Sequence, residues 1–105
     1  MDDKEKFQLI IKFLDKLIIE KTEVNVNYNE YGNYSVNYIV RSDDEEIGNE
    51  YYGVSLYNNS LRFWNSDSFG MKMDLMEDQI VEFKYKINQL MKISEDKSIE
   101  YLKSI

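Results

Sequence analysis

The sequence predicts a single α+β domain over residues 1–105, with an N-terminal helix, a four-stranded antiparallel meander sheet and two C-terminal helices. A chain of 105 residues is close to the commonest domain size and is long enough to bury one core. Hydrophobic residues make up 43% and aromatic residues 14% of the chain, which argues against disorder. Apolar residues follow helical spacing near both ends and strand-like alternation between them, which favours this order of elements.

Residues 4–21 are predicted to form the first helix, because their apolar residues recur at intervals of three and four. The members of this stripe are Phe7, Ile10, Ile11, Leu14, Leu17 and Ile18. Leu9, Phe13 and Ile19 are expected to widen it. Because the polar face mixes both charge signs, the pattern favours a core helix over a helix lying on a membrane surface.

Two strands are predicted next. Residues 22–28 alternate, with Val24, Val26 and Tyr28 on one face, which is typical of a half-buried strand. Residues 29–33 suit a turn, since Gly32 and the asparagines tolerate positive φ. The second strand, 34–41, directs one set of side chains inward and the other outward. The inward set is Tyr34, Val36, Tyr38 and Val40, and the outward set is Ser35, Asn37, Ile39 and Arg41.

The register of strands three and four follows from Asn58-Asn59, a dipeptide that suits a two-residue hairpin turn at positive φ. Counting back from this turn defines pairs on both faces of the hairpin. The predicted pairs are Leu56 with Leu61 and Val54 with Phe63 on the inner face, and Ser55 with Arg62 and Gly53 with Trp64 on the outer face. A tryptophan opposite a glycine covers bare backbone, which supports this register.

The C-terminal part is predicted to contain a loop and two helices. Residues 65–72 are rich in Ser, Asp and Gly and are expected to form the loop. Asp74 is expected to cap a helix that runs from 75 to about 93, with Glu77 completing a capping box. Ser94 is expected to cap a separate last helix from 95 to about 103. The apolar stripe of the longer helix contains Met76, Ile80, Phe83, Ile87 and Leu90.

The net charge of −7 is unevenly distributed. Residues 23–78 hold 11 acids and only three bases (Arg41, Arg62 and Lys72), a balance of −8, while the two flanking segments together hold 9 acids and 10 bases. We therefore expect the negative field to belong to the sheet and its loops. Such a field disfavours direct binding of nucleic acid or of an anionic membrane, and it favours a basic protein partner.

The residue types present exclude several kinds of chemistry. The chain has no cysteine and no histidine, so thiol chemistry and imidazole general-base catalysis are absent. Its glycines form no phosphate-binding loop, and no nucleophile lies in a recognisable catalytic motif. We expect no enzymatic activity, no cofactor and no metal. No apolar run approaches the ~20 residues that span a bilayer, and the N-terminus lacks a signal-peptide pattern, so we expect a cytoplasmic protein.

Two surfaces are candidates for binding a partner. The first is the acidic run Asp43, Asp44, Glu45 and Glu46, with Glu50 nearby. Its spacing departs from calcium-binding loops, so a solvated loop and a protein-binding patch are the alternatives to a cation site. The second is the outer sheet face with Tyr51, Tyr57 and Trp64, because aromatic side chains are common interface anchors. This face is either exposed or partly covered by a helix.

The short acidic chain, rich in Asn and Tyr and ordered helix, antiparallel strands, helices, resembles small phage-encoded anti-CRISPR proteins in size, charge and element order. The resemblance implies a non-enzymatic inhibitor that mimics nucleic acid and occupies the basic nucleic-acid-binding surface of a bacterial nuclease. In such a complex the acidic run and Glu50 contact lysines and arginines of the nuclease. Tyr51, Tyr57 and Trp64 are the residues that anchor the inhibitor on its partner. Bacterial immunity proteins, which neutralise basic toxins, are similar on the same grounds. A structural homo-oligomer is the third hypothesis, and both a monomer and a homodimer remain open.

Overall fold

A computed structural model describes residues 1–40, 48, 50–65 and 70–105, and it confirms the α+β class. A five-stranded antiparallel sheet has the strand order β1-β2-β3-β4-β5, so each strand pairs with its neighbour in the chain. The elements are α1 (Asp3–Ile19), β1 (Asn25–Tyr28), β2 (Tyr34–Val40), β3 (Glu50–Tyr57), β4 (Ser60–Asn65), β5 (Gly70–Asp74) and α2 (Glu77–Ser104).

Helix α1 begins after Asp2, whose carboxylate accepts a hydrogen bond from the backbone N–H of Glu5 at 2.8 Å. The chain leaves the helix at Lys21, which has a positive φ of 49°. The predicted apolar stripe is confirmed, since all its members are buried or half-buried. Leu9 and Ile19 do not widen the stripe as expected, because their side chains remain exposed.

The hairpin of β3 and β4 has the register expected from the Asn58-Asn59 turn, in which Asn58 takes a positive φ of 55°. All four predicted pairs are confirmed. A Cβ atom added to Gly53 would lie 2.1 Å from two ring atoms of Trp64, so the indole lies directly on the glycine backbone. A side chain at this position would force the ring to move, so glycine permits the close contact.

The expectation of four strands is wrong, because Gly70–Asp74 forms a fifth strand where a loop ending at Lys72 was expected. This strand pairs with β4 and places Met71 and Met73 on the inner face, where Met73 is buried. The alternation of two methionines with polar residues gives the strand its amphipathic character. Asp74 is consequently the last residue of β5, and the expectation that it caps the following helix is also wrong.

The expectation of two C-terminal helices is wrong as well, because α2 is one continuous helix of 28 residues. The backbone N–H of Met76, at the N-cap, donates to Gln79 Oε1 at 2.9 Å. Ser94 does not cap a new helix. Its hydroxyl donates to the backbone carbonyl of Val24 at 3.3 Å, which ties α2 to the segment before β1. Phe83, Ile87 and Leu90 are buried as predicted, whereas Met76 is exposed.

Both helices pack on the same face of the sheet, which we call the inner face. Phe13 of α1 makes edge-to-face contacts with Tyr38 and Phe63, at centroid distances of 6.3 and 5.9 Å. Asp15 of α1 and Lys86 of α2 form an ion pair at 2.6 Å that joins the two helices. The strand residues buried beneath the helices include Val36, Val54, Leu56, Leu61 and Met73.

Candidate functional site

The opposite side of the sheet, which we call the outer face, is not covered by either helix, and the described part of the chain provides no other layer over it. Because side chains alternate along a strand, the cross-strand pairs define which residues share this face. Two rows cross the sheet. The first row is Asn25, Asn37, Gly53, Trp64 and Gly70, and the second is Asn27, Ser35, Ser55, Arg62 and Lys72.

Three of the sequence-predicted site residues share the outer face, with Tyr51 and Trp64 toward one end of the β3–β4 pair and Tyr57 beside the hairpin turn. Tyr51, Tyr57 and Trp64 are 45%, 65% and 39% exposed, and they belong to the adjacent strands β3 and β4. The position of Trp64 is fixed by its ring, which rests on Gly53. The aromatic groups are therefore presented by rigid strands on a face that the helices leave open.

Glu50 does not join this group. It occupies an inner-face position of β3, two residues from Tyr52, and its Oε2 accepts a hydrogen bond from the Tyr52 hydroxyl at 2.6 Å. The bond fixes the half-buried carboxylate on the opposite side of the strand from Tyr51. The other four predicted acids, Asp43, Asp44, Glu45 and Glu46, lie outside the described residues. They follow β2 and precede β3 in the chain.

The charge of the described outer face differs from the charge of the segment as a whole. Arg62 and Lys72 are directly opposite each other on β4 and β5. Asp74, opposite Ser60, is the carboxylate found on this face among the described strand residues. Among the described strand residues, the outer face therefore carries two bases and one acid, whereas most acids of the segment lie elsewhere in the sequence. The sequence prediction does not include Lys72 among the site residues, because it expects a loop over 65–72; the alternation of Met71 and Met73 is the signal for a strand.

A shallow recess of about 480 Å³ opens at the β4–β5 edge of the sheet. Its lining includes Arg62, Trp64, Gly70 and Lys72 from the outer face. Because Gly70 has no side chain and is exposed, the space beside Trp64 stays open. The recess therefore joins an aromatic surface to two cationic side chains.

Near the turn between β1 and β2, the rings of Tyr28 and Tyr34 lie 4.9 Å apart. Burial raises the pKa of the Tyr34 phenol, and the charge of Tyr28 raises it further. The ammonium group of Lys84 lies 5.7 Å from the centre of the Tyr34 ring. This arrangement packs α2 against the start of β2.

Within residues 1–40, 48, 50–65 and 70–105, no three acidic side chains come close enough together to hold a metal ion. The alternative of a cation site at residues 43–46 falls outside these ranges. No helix in the described part of the chain combines the length and the apolar character needed to cross a membrane. Comparisons with protein-family models, with curated proteins and with solved structures find no match to this chain.

Proposed function

We propose that this protein is a non-enzymatic inhibitor that binds a protein partner through the outer face of its sheet. The observation that carries the proposal is the exposure of Tyr51, Tyr57 and Trp64 on a face that neither helix covers. Aromatic side chains presented by a rigid scaffold bury a large area at little cost in conformational entropy, and they are enriched among the residues that dominate binding energy. Amide and hydroxyl groups of the two rows surround these anchors and suit the polar rim of an interface.

The partner that we propose is the basic, nucleic-acid-binding surface of a bacterial nuclease, which is the target of the anti-CRISPR proteins that the sequence resembles. The net charge of −7 supports this choice, because a negative field steers the protein toward a basic surface. In this complex Asp43, Asp44, Glu45 and Glu46 contact lysines and arginines at the edge of the partner, and Glu50 adds charge from the start of β3. An inhibitor of this kind acts stoichiometrically and needs no cofactor.

Cleavage assays with purified CRISPR nucleases test the aromatic anchors. We expect Tyr57→Ser to raise the concentration needed for half-maximal inhibition about tenfold or more, because an interface anchor contributes at least 1–2 kcal/mol. Tyr101→Ser is the matched control, since Tyr101 is 67% exposed on α2 and Tyr57 is 65% exposed on β3. If every inhibited nuclease responds equally to both variants, the outer face is not the contact surface.

Charge reversal tests the acidic run. Replacing Asp43, Asp44, Glu45 and Glu46 with lysine is expected to abolish inhibition, while circular dichroism and the melting temperature stay close to those of the wild type. The control reverses four exposed acids of α2, Glu82, Glu95, Asp96 and Glu100, which changes the net charge equally. If the control loses as much inhibition as the first variant, general attraction explains the effect and direct contact by the acidic run is refuted.

A further inference from the structure

Arg62 and Lys72 occupy directly opposite positions on β4 and β5, and both side chains are exposed on the outer face. Only three bases occur between residues 23 and 78, so two of the three bases of this acidic segment face each other across one strand pair. Like charges at directly opposite positions of an antiparallel pair destabilise a sheet. The repulsion between Arg62 and Lys72 therefore lowers the stability of the fold, so a structural role does not explain why the two bases are paired.

No described residue neutralises this pair. The ion pairs of the described chain are Lys6 with Asp3 and Lys86 with Asp15, and neither involves the outer face. Asp74 lies two residues from Lys72 on β5 and forms no ion pair with it. As far as residues 1–40, 48, 50–65 and 70–105 are concerned, both cationic groups are therefore available to an external anion.

The surroundings of Arg62 and Lys72 suit the carboxylate of an organic group better than a small inorganic anion. The recess that both side chains line is bounded by the Trp64 ring, which Gly53 holds flat against the sheet. A guanidinium forms two parallel hydrogen bonds with one carboxylate, and the neighbouring ammonium adds a point charge. The indole provides an apolar wall for the methylene groups that carry the carboxylate.

We propose that Arg62, Lys72 and Trp64 form a carboxylate-binding subsite, which takes an acidic segment of the protein partner. Nucleic acid is disfavoured because two cations neutralise little of a polyphosphate backbone and the chain carries a net charge of −7. A second copy joined along the β5 edge is disfavoured because Lys72 is the central residue of the strand. Antiparallel pairing about that residue would place two Lys72 side chains opposite each other.

This inference rests on the proposed function and makes the expected partner surface more specific. The partner must present acidic side chains toward the β4–β5 edge, in addition to the basic surface that faces the acidic run. A uniformly basic surface would repel Arg62 and Lys72. The acidic run and the Arg62–Lys72 pair carry opposite charges and need opposite charges on the partner. Together they fix the orientation of the complex as well as its affinity.

The unique tryptophan of the chain, Trp64, reports directly on the subsite. We would titrate the purified protein with a hexaglutamate peptide, a hexaglutamine peptide and a six-residue oligothymidylate, following tryptophan fluorescence and calorimetric heat. We expect hexaglutamate to bind with millimolar affinity or better and hexaglutamine to bind at least tenfold more weakly. Arg62→Ser/Lys72→Ser should weaken hexaglutamate binding at least tenfold, because both charged hydrogen-bond donors of the subsite are removed.

The matched control is Lys92→Ser/Lys103→Ser, which removes the same charge from exposed positions of α2 and should change affinity less than twofold. Equal weakening in both double variants, or no hexaglutamate binding at millimolar concentration, overturns the subsite. Tighter binding of the oligothymidylate overturns the choice of a protein segment. The titration contains no nuclease, so it can fail while inhibition and its dependence on Tyr57 persist, which separates failure of the subsite from failure of the proposed function.

Discussion

The inner and outer faces of the sheet are built from the same strands, yet their aromatic residues have different environments. On the inner face, Phe63 contacts both Phe13 and Tyr52, at centroid distances of 5.9 and 6.3 Å. On the outer face, Trp64, the next residue of β4, lies on Gly53 and keeps 39% of its surface exposed. The two faces differ because the helices cover only one of them.

This difference separates the residues that stabilise the fold from those that are available for binding. Hydrophobic burial, the dominant favourable term in folding, is concentrated on the inner face. Single exposed aromatic residues are normal in proteins and need no explanation. Tyr51, Tyr57 and Trp64, however, share a face that neither helix covers with Arg62 and Lys72, which form no ion pair among the described residues. Folding does not account for this combination, and for that reason we propose that the outer face binds a partner.

The largest effect that distinguishes the faces is expected from two adjacent residues of β4. Leu61 is completely buried and Arg62 is exposed. Leu61→Ala should lower the free energy of unfolding by about 2–5 kcal/mol, because it removes buried methyl groups and leaves a cavity. Arg62→Ala should change it by less than about 0.5 kcal/mol. Urea denaturation followed by circular dichroism measures both, and similar losses in the two variants would contradict the assignment of the faces.

The second largest effect on stability is expected at the contact between Trp64 and Gly53, the glycine beneath its ring. Gly53→Ala should lower the free energy of unfolding by about 1–3 kcal/mol, because the new methyl group collides with the indole and forces it to move. The emission spectrum of Trp64 should shift in the same variant. With Trp64→Ala already present, Gly53→Ala should cost much less. Additive losses in this double-mutant cycle would show that the ring does not rest on the glycine.

Much of this two-faced sheet is predictable from the sequence. The Asn58-Asn59 turn fixes the β3–β4 register, and side-chain alternation then assigns every paired residue to a face. The same counting places Glu50 on the inner face, although it was grouped with the acidic run because of its charge. Alternation is thus a better guide than charge to the face that a strand residue occupies.

Two elements were not predictable from local signals. Strand β5 has only five residues, and Gly70, Lys72 and Asp74 resemble in type the polar residues that precede them in the sequence, so only Met71 and Met73 indicate a strand. Ser94 is favourable at a helix N-cap and tolerated inside a helix, so its neighbours do not decide between the two positions. The hydrogen bond from Ser94 to Val24, 70 residues earlier in the chain, depends on tertiary packing.

A smaller effect on the free energy of unfolding is expected from Tyr34 at alkaline pH. Burial and the charge of Tyr28 raise the pKa of Tyr34 above its ordinary value of 10.0, so the unfolded chain loses this proton at lower pH than the folded protein does. Stability from this group is therefore complete below pH 10 and declines as the pH rises through the folded pKa. Tyr34→Phe should reduce the decline measured by denaturation at increasing pH. A decline as steep in Tyr34→Phe as in the wild type would contradict this account.

The smallest effect on stability is expected from Tyr57→Ser, which should change the free energy of unfolding by less than about 0.5 kcal/mol because the ring is 65% exposed. The same substitution is expected to cause a large loss of inhibition. Urea denaturation measures the free energy of unfolding and the nuclease assay measures inhibition. Both are carried out on one preparation of the variant, so that the two losses can be compared directly. A loss of several kcal/mol in stability would assign Tyr57 to the fold. A stable variant that no longer inhibits would separate binding from folding at this position, which is the distinction that the two faces of the sheet predict.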